Sequence, residues 1–437
     1  MKDTLFKNFS LRVLLIISLL IVCFFAGCTS QKTMMLMPTP VLYQNSSIDP
    51  FAHLSPEERS IHTQVFYATN RFPKFKGDEI FYGNTVDSII HLGKATIRIG
   101  DENTDWDSLH KTSLSIDQTD LIPISVAKII EQAILTEKDL RAENDLTPQL
   151  LEFVDSINAE LAEAVDKEIM IYVHGTKVDF SNSVILTAEI DHFAGRDFIG
   201  VAFAWPSHQN ILSYLIGTDV RRALSSSPDL QRLIVFLSKH TTAEHINILS
   251  YSAGGKVTSK ALFELRKAFS ELDSEELKAK FRIGAVMFAA ADVEVDIFLE
   301  RISAISELAE QVVITVTDDD EALKAAKRFM GGKSRAGSLE AESIEEDYIV
   351  RKHLANVEII DVSYGKKVRG FDITGHHYWY RHPWMSSDIV FLMRTDLPPV
   401  RRGLSASELE GIWYLSPDYP EKIRKAVEVE LEGQWKN

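Results

Sequence analysis

At residues 245–254 the chain passes from an apolar stretch, His245-Ile246-Asn247-Ile248-Leu249, into Ser250-Tyr251-Ser252-Ala253-Gly254, and then into a helix-like segment from Gly255. Few local patterns constrain a fold as tightly. A serine on a sharp strand-to-helix turn is pushed out of the sheet with its hydroxyl exposed, and the tight backbone needs small residues two places before and two places after it. Ser250 and Gly254 supply them. The first of these positions is usually Gly, so Ser250 adds a side chain where the turn is tightest. The string predicts a strand–turn–helix unit with Ser252 at its apex, a nucleophile elbow.

A second unit precedes it. Glu168-Ile169-Met170-Ile171-Tyr172-Val173 is an apolar run of strand length that ends in His174-Gly175-Thr176. A strand followed by His-Gly is the signature of an oxyanion loop, in which the N–H of the next residue, Thr176, pairs with the N–H after the nucleophile, Ala253. Further strands are expected at Val65 to Ala68, Lys94 to Ile99, Phe198 to Ala204, Ile246 to Leu249, Ile283 to Ala289, Val312 to Thr317 and Val357 to Val362. Helices are expected between them at Ser181 to Ala194, Asp219 to Lys239, Lys256 to Leu272, Val295 to Leu308 and Asp320 to Phe329. Alternation of this kind implies βαβ units and a mostly parallel sheet flanked by helices, the α/β class. The acidic stretch from Asp120 to Val165 reads as helical by periodicity, an insertion or partial cover for the site.

The order of motifs resembles one family: the bacterial α/β-hydrolases catalogued as a domain of unknown function, similar to lipases and esterases. The resemblance starts at Val65-Phe66-Tyr67-Ala68-Thr69-Asn70-Arg71 and continues through Val173-His174-Gly175, Ala204-Trp205-Pro206-Ser207 and the elbow. It resumes at Ala290-Ala291-Asp292-Val293, Asp320-Glu321-Ala322-Leu323, Arg335-Ala336-Gly337 and Gly375-His376-His377-Tyr378, spanning most of residues 61 to 395. Two departures stand out. The family's oxyanion loop continues with aromatic and Asn residues where this chain has Thr176-Lys177-Val178, and its elbow is usually Gly-His-Ser-Met-Gly.

The resemblance implies an α/β-hydrolase fold with an N-terminal extension and a triad in the order nucleophile, acid, histidine. It places the acid at Asp320, just after the strand Val312 to Thr317, with Asp318 and Asp319 beside it. Three adjacent carboxylates also suit a helix N-terminus, whose dipole favours negative charge. Asp292 is the substitute acid, or a turn residue capping the next helix. The base aligns with His376, and His377 is its neighbour. His376, His377 and His382 do not match a zinc motif in their spacing and no Cys accompanies them, so no metal is expected. Gly331-Gly332-Lys333-Ser334 looks like the end of a phosphate loop, but that motif requires Gly where Lys327 stands.

Composition narrows the remaining classes. With 45% hydrophobic and 25% charged residues in 437, the chain can bury a full core. Its 47 basic against 63 acidic residues give a formal charge of −16, which opposes binding to nucleic acid. Lys2, Lys7 and Arg12 precede an apolar run from Val13 to Phe25, too short to span a bilayer comfortably, and then comes Phe25-Ala26-Gly27-Cys28. This looks like a bacterial lipobox, in which cleavage leaves Cys28 as a lipid-bearing N-terminus. A plain signal peptide or anchor helix is the alternative. Cys28 would be the single cysteine of the mature chain, which excludes an internal disulfide. Thr29 after it suggests the outer membrane of a Gram-negative cell.

The expected organisation is a signal peptide at 1–27, a flexible Pro/Ser/Thr/Gln-rich tether at 28–60, N-terminal strands with a helical insertion at 61–165, the hydrolase core at 166–400 and a helical tail at 401–437. The expected activity is hydrolysis of small-molecule carboxylic esters through an acyl-enzyme, with no cofactor, at a membrane reached through the lipid anchor. About two dozen residues separate Ala289 from Val312, which leaves no room for a large lid there. The competing reading, favoured by the altered elbow and loop, is an envelope-anchored binding or scaffold lipoprotein on an inactive hydrolase fold. Oligomeric state is not legible.

Overall fold

The computed structural model describes residues 33–44, 48–115, 122–141, 146–317, 355–363, 378–395, 397–407 and 412–430. Of the first 34 residues this includes the last two, where the short strand β1 (Met34–Met35) begins. The described residues from Met35 onward cluster as one unit. Its strands are β2 (His62–Lys76), β3 (Glu79–Ile99), β4 (Pro123–Leu135), β5 (Glu168–Val173), β6 (Ile199–Phe203), β7 (His245–Tyr251), β8 (Ile283–Ala289), β9 (Ala309–Val316), β10 (Val357–Asp361), β11 (Ser405–Ala406) and β12 (Ile412–Tyr414).

They lie in the order β4-β3-β2-β6-β5-β7-β8-β9-β10-β12-β11. Every pairing from β2 to β12 is parallel, whereas β4, β3 and β2 form an antiparallel meander at one side and β11 returns antiparallel on β12. Strands buried on both faces need apolar residues at nearly every position, and β8 is buried throughout. Ile169, Ile171, Val173, Ile246, Ile248, Val286, Phe288, Val312 and Ile314 join one core cluster with helices α1 (Pro148–Glu163), α3 (Thr218–His240), α4 (Gly254–Ala268) and α5 (Val295–Leu308). The alternate residues Tyr172 and Tyr251 meet Trp379, on the side of α2 (Phe180–Phe193) and α6 (Pro383–Arg394). The interval between β8 and β9 holds α5 alone, in keeping with its short length.

Three expectations change. Pro123–Leu135 is strand, not helix: β4 pairs with β3 from Ile124 to Leu135 with register shifts at two places. Its β-branched Ile124, Val126, Ile129, Ile130 and Ile134 fit a pleated surface, and the irregular register blurs the period of two that would have revealed them. Residues 36–44 and 48–54 of the expected tether are packed. Leu36, Met37, Val41, Leu42, Tyr43, Ile48, Phe51 and Leu54 are buried, Met37 N–H donates to Glu189 Oε1 (2.7 Å), and Tyr43 hydroxyl donates to the Phe193 carbonyl. The Pro and Ser content that suggests a linker is interleaved with enough apolar surface to offset the ordering entropy. The C-terminal tail is also not wholly helical, because β12 extends the sheet against β10 before the helix Tyr419–Glu430.

Candidate active site

Ser252 stands between β7 and α4 with φ at +52°, in the left-handed region that non-glycine residues seldom occupy. Such a conformation costs about 1–3 kcal/mol and persists only where the surroundings over-determine it. Here they do. Ser252 N–H donates to the Ala289 carbonyl (3.0 Å), and the Ser252 carbonyl accepts from Asp292 N–H (3.1 Å) and Gly255 N–H (2.9 Å), so the elbow is braced against the end of β8. A methyl group on Gly254 would lie 2.3 Å from the Val173 carbonyl oxygen, so any larger residue there must displace backbone. Ser250 fits because its buried hydroxyl donates to the Met287 carbonyl (3.0 Å). Lys177 (φ +62°) and Ala290 (φ +47°) are also left-handed, so strained residues mark the carboxyl ends of the adjacent strands β5, β7 and β8.

The chain leaving β5 lies against the serine: a methyl group on Gly175 would sit 3.0 Å from Ser252 Cβ. Thr176 follows, its hydroxyl donating to Asp219 Oδ2 (3.1 Å), and Asp219 on α3 lies 2.6 Å from His208 Nδ1. Ala253 is the cap of α4, where the first amides have no partner within the helix. His174 is buried and stacked on Trp205 (centroids 5.1 Å apart, 8° between planes), while Trp205 Nε1–H donates to the His174 carbonyl (2.6 Å). Burial, reinforced by the Arg71 charge, pushes the His174 pKa down to about 3, so its ring is neutral. Its Nδ1 lies 2.7 Å from the Gly175 carbonyl oxygen, an acceptor only, and therefore carries the proton. Arg71, also buried, donates to the carbonyls of Ala204 (3.1 Å), Gly83 (2.9 Å), Val178 (2.9 Å) and Trp205 (2.6 Å), and its Nη2 faces His174 Nε2 at 3.5 Å.

The structure thus brings together Ser252, Ala253, Thr176 and Asp292. Asp292 is buried, its Oδ1 4.0 Å from Lys256 Nζ, which in turn donates to Glu294 Oε2 (3.0 Å). The cap of α5 is Glu294, so Asp292 does not cap that helix. Asp320, His376, His377 and Cys28 lie outside the described residues, as do the expected helix Asp320 to Phe329, Gly331–Ser334 and Arg335–Gly337. The described chain resumes at Tyr378, and Trp379 is buried against Tyr172 (5.4 Å) and Tyr251 (5.5 Å).

Sequence reasoning assigned no task to Arg71, Asp219 or His208. Arg71 and Trp205 each lie inside a stretch that carries the family resemblance, which was the available signal. Nothing in the sequence pairs His208 with Asp219 across an eleven-residue interval.

A family model described as alpha/beta hydrolase of unknown function (DUF900) matches residues 151–393. The chain belongs to this family. No curated protein matches it. Among solved structures, a lipase-esterase related protein from Clostridium acetobutylicum shares 10% identity over 53% of this chain and 94% of that one, with a TM-score of 0.28. Esterase B from Lactobacillus rhamnosis, inhibited by a tributyrin phosphonate, shares 12% over 43% and 75% (TM-score 0.23). An acylaminoacyl peptidase from Pyrococcus horikoshii shares 10% over 74% and 55% (TM-score 0.32). As members of an α/β-hydrolase family, the elbow at Ser252 and the loop at Gly175 occupy the carboxyl ends of β7 and β5, the edge at which such open sheets hold their sites.

Proposed function

We propose that this protein is a serine hydrolase that cleaves carboxylic esters, anchored to the outer membrane of a Gram-negative cell through lipid on Cys28. Ser252 is the nucleophile, His376 the base and Asp320 the acid. His376 takes the hydroxyl proton as Ser252 Oγ bonds to the carbonyl carbon, and the carbonyl electrons move to oxygen, where the Thr176 and Ala253 amides receive them. Collapse expels the alcohol with the proton from His376, and water repeats the sequence to free the acid. No cofactor takes part.

The observation that carries this reading is the left-handed backbone of Ser252 on a strand-to-helix turn, with Gly175 packed on its Cβ. Strained backbone clusters at functional sites, and on a strand-to-helix turn it exposes the side chain at the apex. Two placements support the partners. Trp379, three residues after His376, is buried on Tyr251, the neighbour of Ser252, and three residues of chain reach about 10 Å. Thr317, three residues before Asp320 in the sequence, directly follows β9, the strand beside β8, whose terminus braces the elbow. Among the described residues no helix is long and apolar enough to cross a membrane, and the anchor rests on Phe25-Ala26-Gly27-Cys28 alone.

The test is labelling with a fluorophosphonate, which reacts with an activated serine. Wild-type labelling that vanishes in Ser252→Ala, together with turnover of a panel of acyl esters, supports the reading; an unlabelled, folded wild-type chain refutes it. For the anchor, a fatty-acid analogue should mark the protein and Cys28→Ser should remove the mark. Unmarked wild-type protein in the soluble fraction refutes that part.

A further inference from the structure

We propose that Arg71 is a positioning residue for the oxyanion hole, acting through the tautomer of His174 to orient the Thr176 amide. The inference rests on the serine-hydrolase reading and adds a task for two buried residues that the proton transfers do not use.

The geometry runs in one direction. Arg71 lies on the stretch of β2 that continues past the parallel pairing with β6, which ends at Ala68 and Phe203. Its guanidinium is buried, and four backbone carbonyls accept from it: Gly83 on β3, Ala204 and Trp205 after β6, and Val178 after β5. A guanidinium buried among carbonyls loses hydration that they only partly replace, and burial lowers its pKa to about 9. A cation held at that cost ties three separate segments of the carboxyl edge into one rigid wall.

One more group faces it. His174 Nε2 lies 3.5 Å from Arg71 Nη2, so a proton on Nε2 would set two donors head to head. The cation therefore leaves Nε2 bare and keeps the proton on Nδ1, which donates to the Gly175 carbonyl at 2.7 Å. No cis peptide occurs among the described residues, and in a trans peptide the C=O and N–H point in opposite directions. With the Gly175 carbonyl turned to His174, the Thr176 N–H is turned away from it. The buried imidazole is stacked on Trp205, and the Thr176 side chain is held separately by Asp219. The donor is fixed before substrate arrives, as electrostatic preorganisation requires.

The test separates the two ring nitrogens. Asn at position 174 places an amide donor near the Nδ1 position, whereas Gln places one near Nε2. In the full chain, His174→Asn should lose less than ~10-fold in kcat, and His174→Gln should lose ~100- to 1000-fold with KM nearly unchanged, the loss expected when one oxyanion donor is removed. Arg71→Lys, which keeps the charge but not the fork, should lose ~100-fold in kcat on the same scale. Rates are taken per active site, counted by fluorophosphonate titration, so a poorly folded fraction is not read as slow chemistry. Nitrogen-15 spectra of histidine-labelled protein, with the His174 signal identified by its absence in His174→Asn, should show the Nδ1–H tautomer in wild type. Equal activity of the Asn and Gln variants, or an Nε2–H tautomer, overturns the proposal. The tautomer is read without substrate, so it decides the point even if the chain hydrolyses no ester and the functional reading fails. Full activity in a folded Arg71→Lys overturns the part assigned to Arg71, and if that variant does not fold, Arg71→Gln, which removes the charge, is read in the same two ways, by kcat and by the His174 tautomer.

Discussion

Gly175 Cα lies so near Ser252 that a methyl group on it would come within 3.0 Å of Ser252 Cβ and 3.0 Å of the Tyr251 ring. The two halves of the candidate site are therefore in contact, the Gly175 backbone against the Ser252 and Tyr251 side chains, and the loop proposed to supply one oxyanion donor limits where the Ser252 side chain can stand. Gly175→Ala should fold, because side chains rather than backbone receive the added carbon. It should lose ~100-fold in kcat through a displaced serine, as small misplacements do. Steady-state kinetics beside a circular-dichroism spectrum checks this, and full activity would show that the contact is slack.

Gly254 differs from Gly175 in what it meets. Its added methyl group would press on the Val173 carbonyl oxygen at 2.3 Å, backbone that cannot rotate aside. Gly254→Ala should cost about 1–3 kcal/mol of stability, in the range of other overpacked sites. Urea denaturation would read it as a lower midpoint at unchanged slope.

Strain at Ser252 can be measured directly. Because Ser252 sits at φ +52°, Ser252→Gly and Ser252→Ala should both abolish labelling, yet differ in stability. Glycine occupies this region freely, so Ser252→Gly should be more stable than Ser252→Ala by about 1 kcal/mol. An Ala variant equal to or above the Gly variant would mean that the turn carries no strain.

The two acid candidates should separate by readout. Asp320→Asn is expected to lower kcat by ~10⁴, the loss seen when a triad carboxylate becomes an amide. Asp292→Asn should act on stability, since Asp292 sits buried beside Lys256 and under the Ser252 carbonyl, and Lys256 retains Glu294. A dead but stable Asp292→Asn with an active Asp320→Asn would transfer the acid to Asp292.

Glu189 gives a pH dependence with a definite sign. Burial raises its pKa from 4.5 to about 8, against the stabilising hydrogen bond from Met37 N–H. Below pH 4.5 the group is protonated in both folded and unfolded chains and contributes nothing. Between 4.5 and 8 the unfolded chain has released a proton that the folded chain still holds, so stability falls as pH rises, and the whole loss is present above 8. Glu189→Gln keeps an acceptor for Met37 without the charge. Its denaturation midpoint should fall less than that of wild type between pH 5 and 9, and parallel pH profiles would refute the assignment. Asp191, raised to about 8 by burial on the same helix, leaves part of the slope in place.

What the sequence determined by itself is local. The elbow at Ser250–Gly254, the strand and His-Gly turn at Glu168–Gly175, and the alternation that makes the sheet parallel are all properties of neighbouring residues, because chain direction and turn sterics are set within a few positions. The family order placed Ser252 in the same way. Tertiary structure decided the rest, where a residue's task depends on partners far along the chain. Pro123–Leu135 is a strand because β3 lies beside it, and residues 36–44 are held because α2 and α6 receive them. Asp219 reaches Thr176 across 43 residues, and Arg71 reaches Trp205 across 134. An arginine in a strand motif reads as a surface charge. Only the fold, by removing water and arraying carbonyls around it, turns that charge into a buried tie between the chain segments beside Ser252.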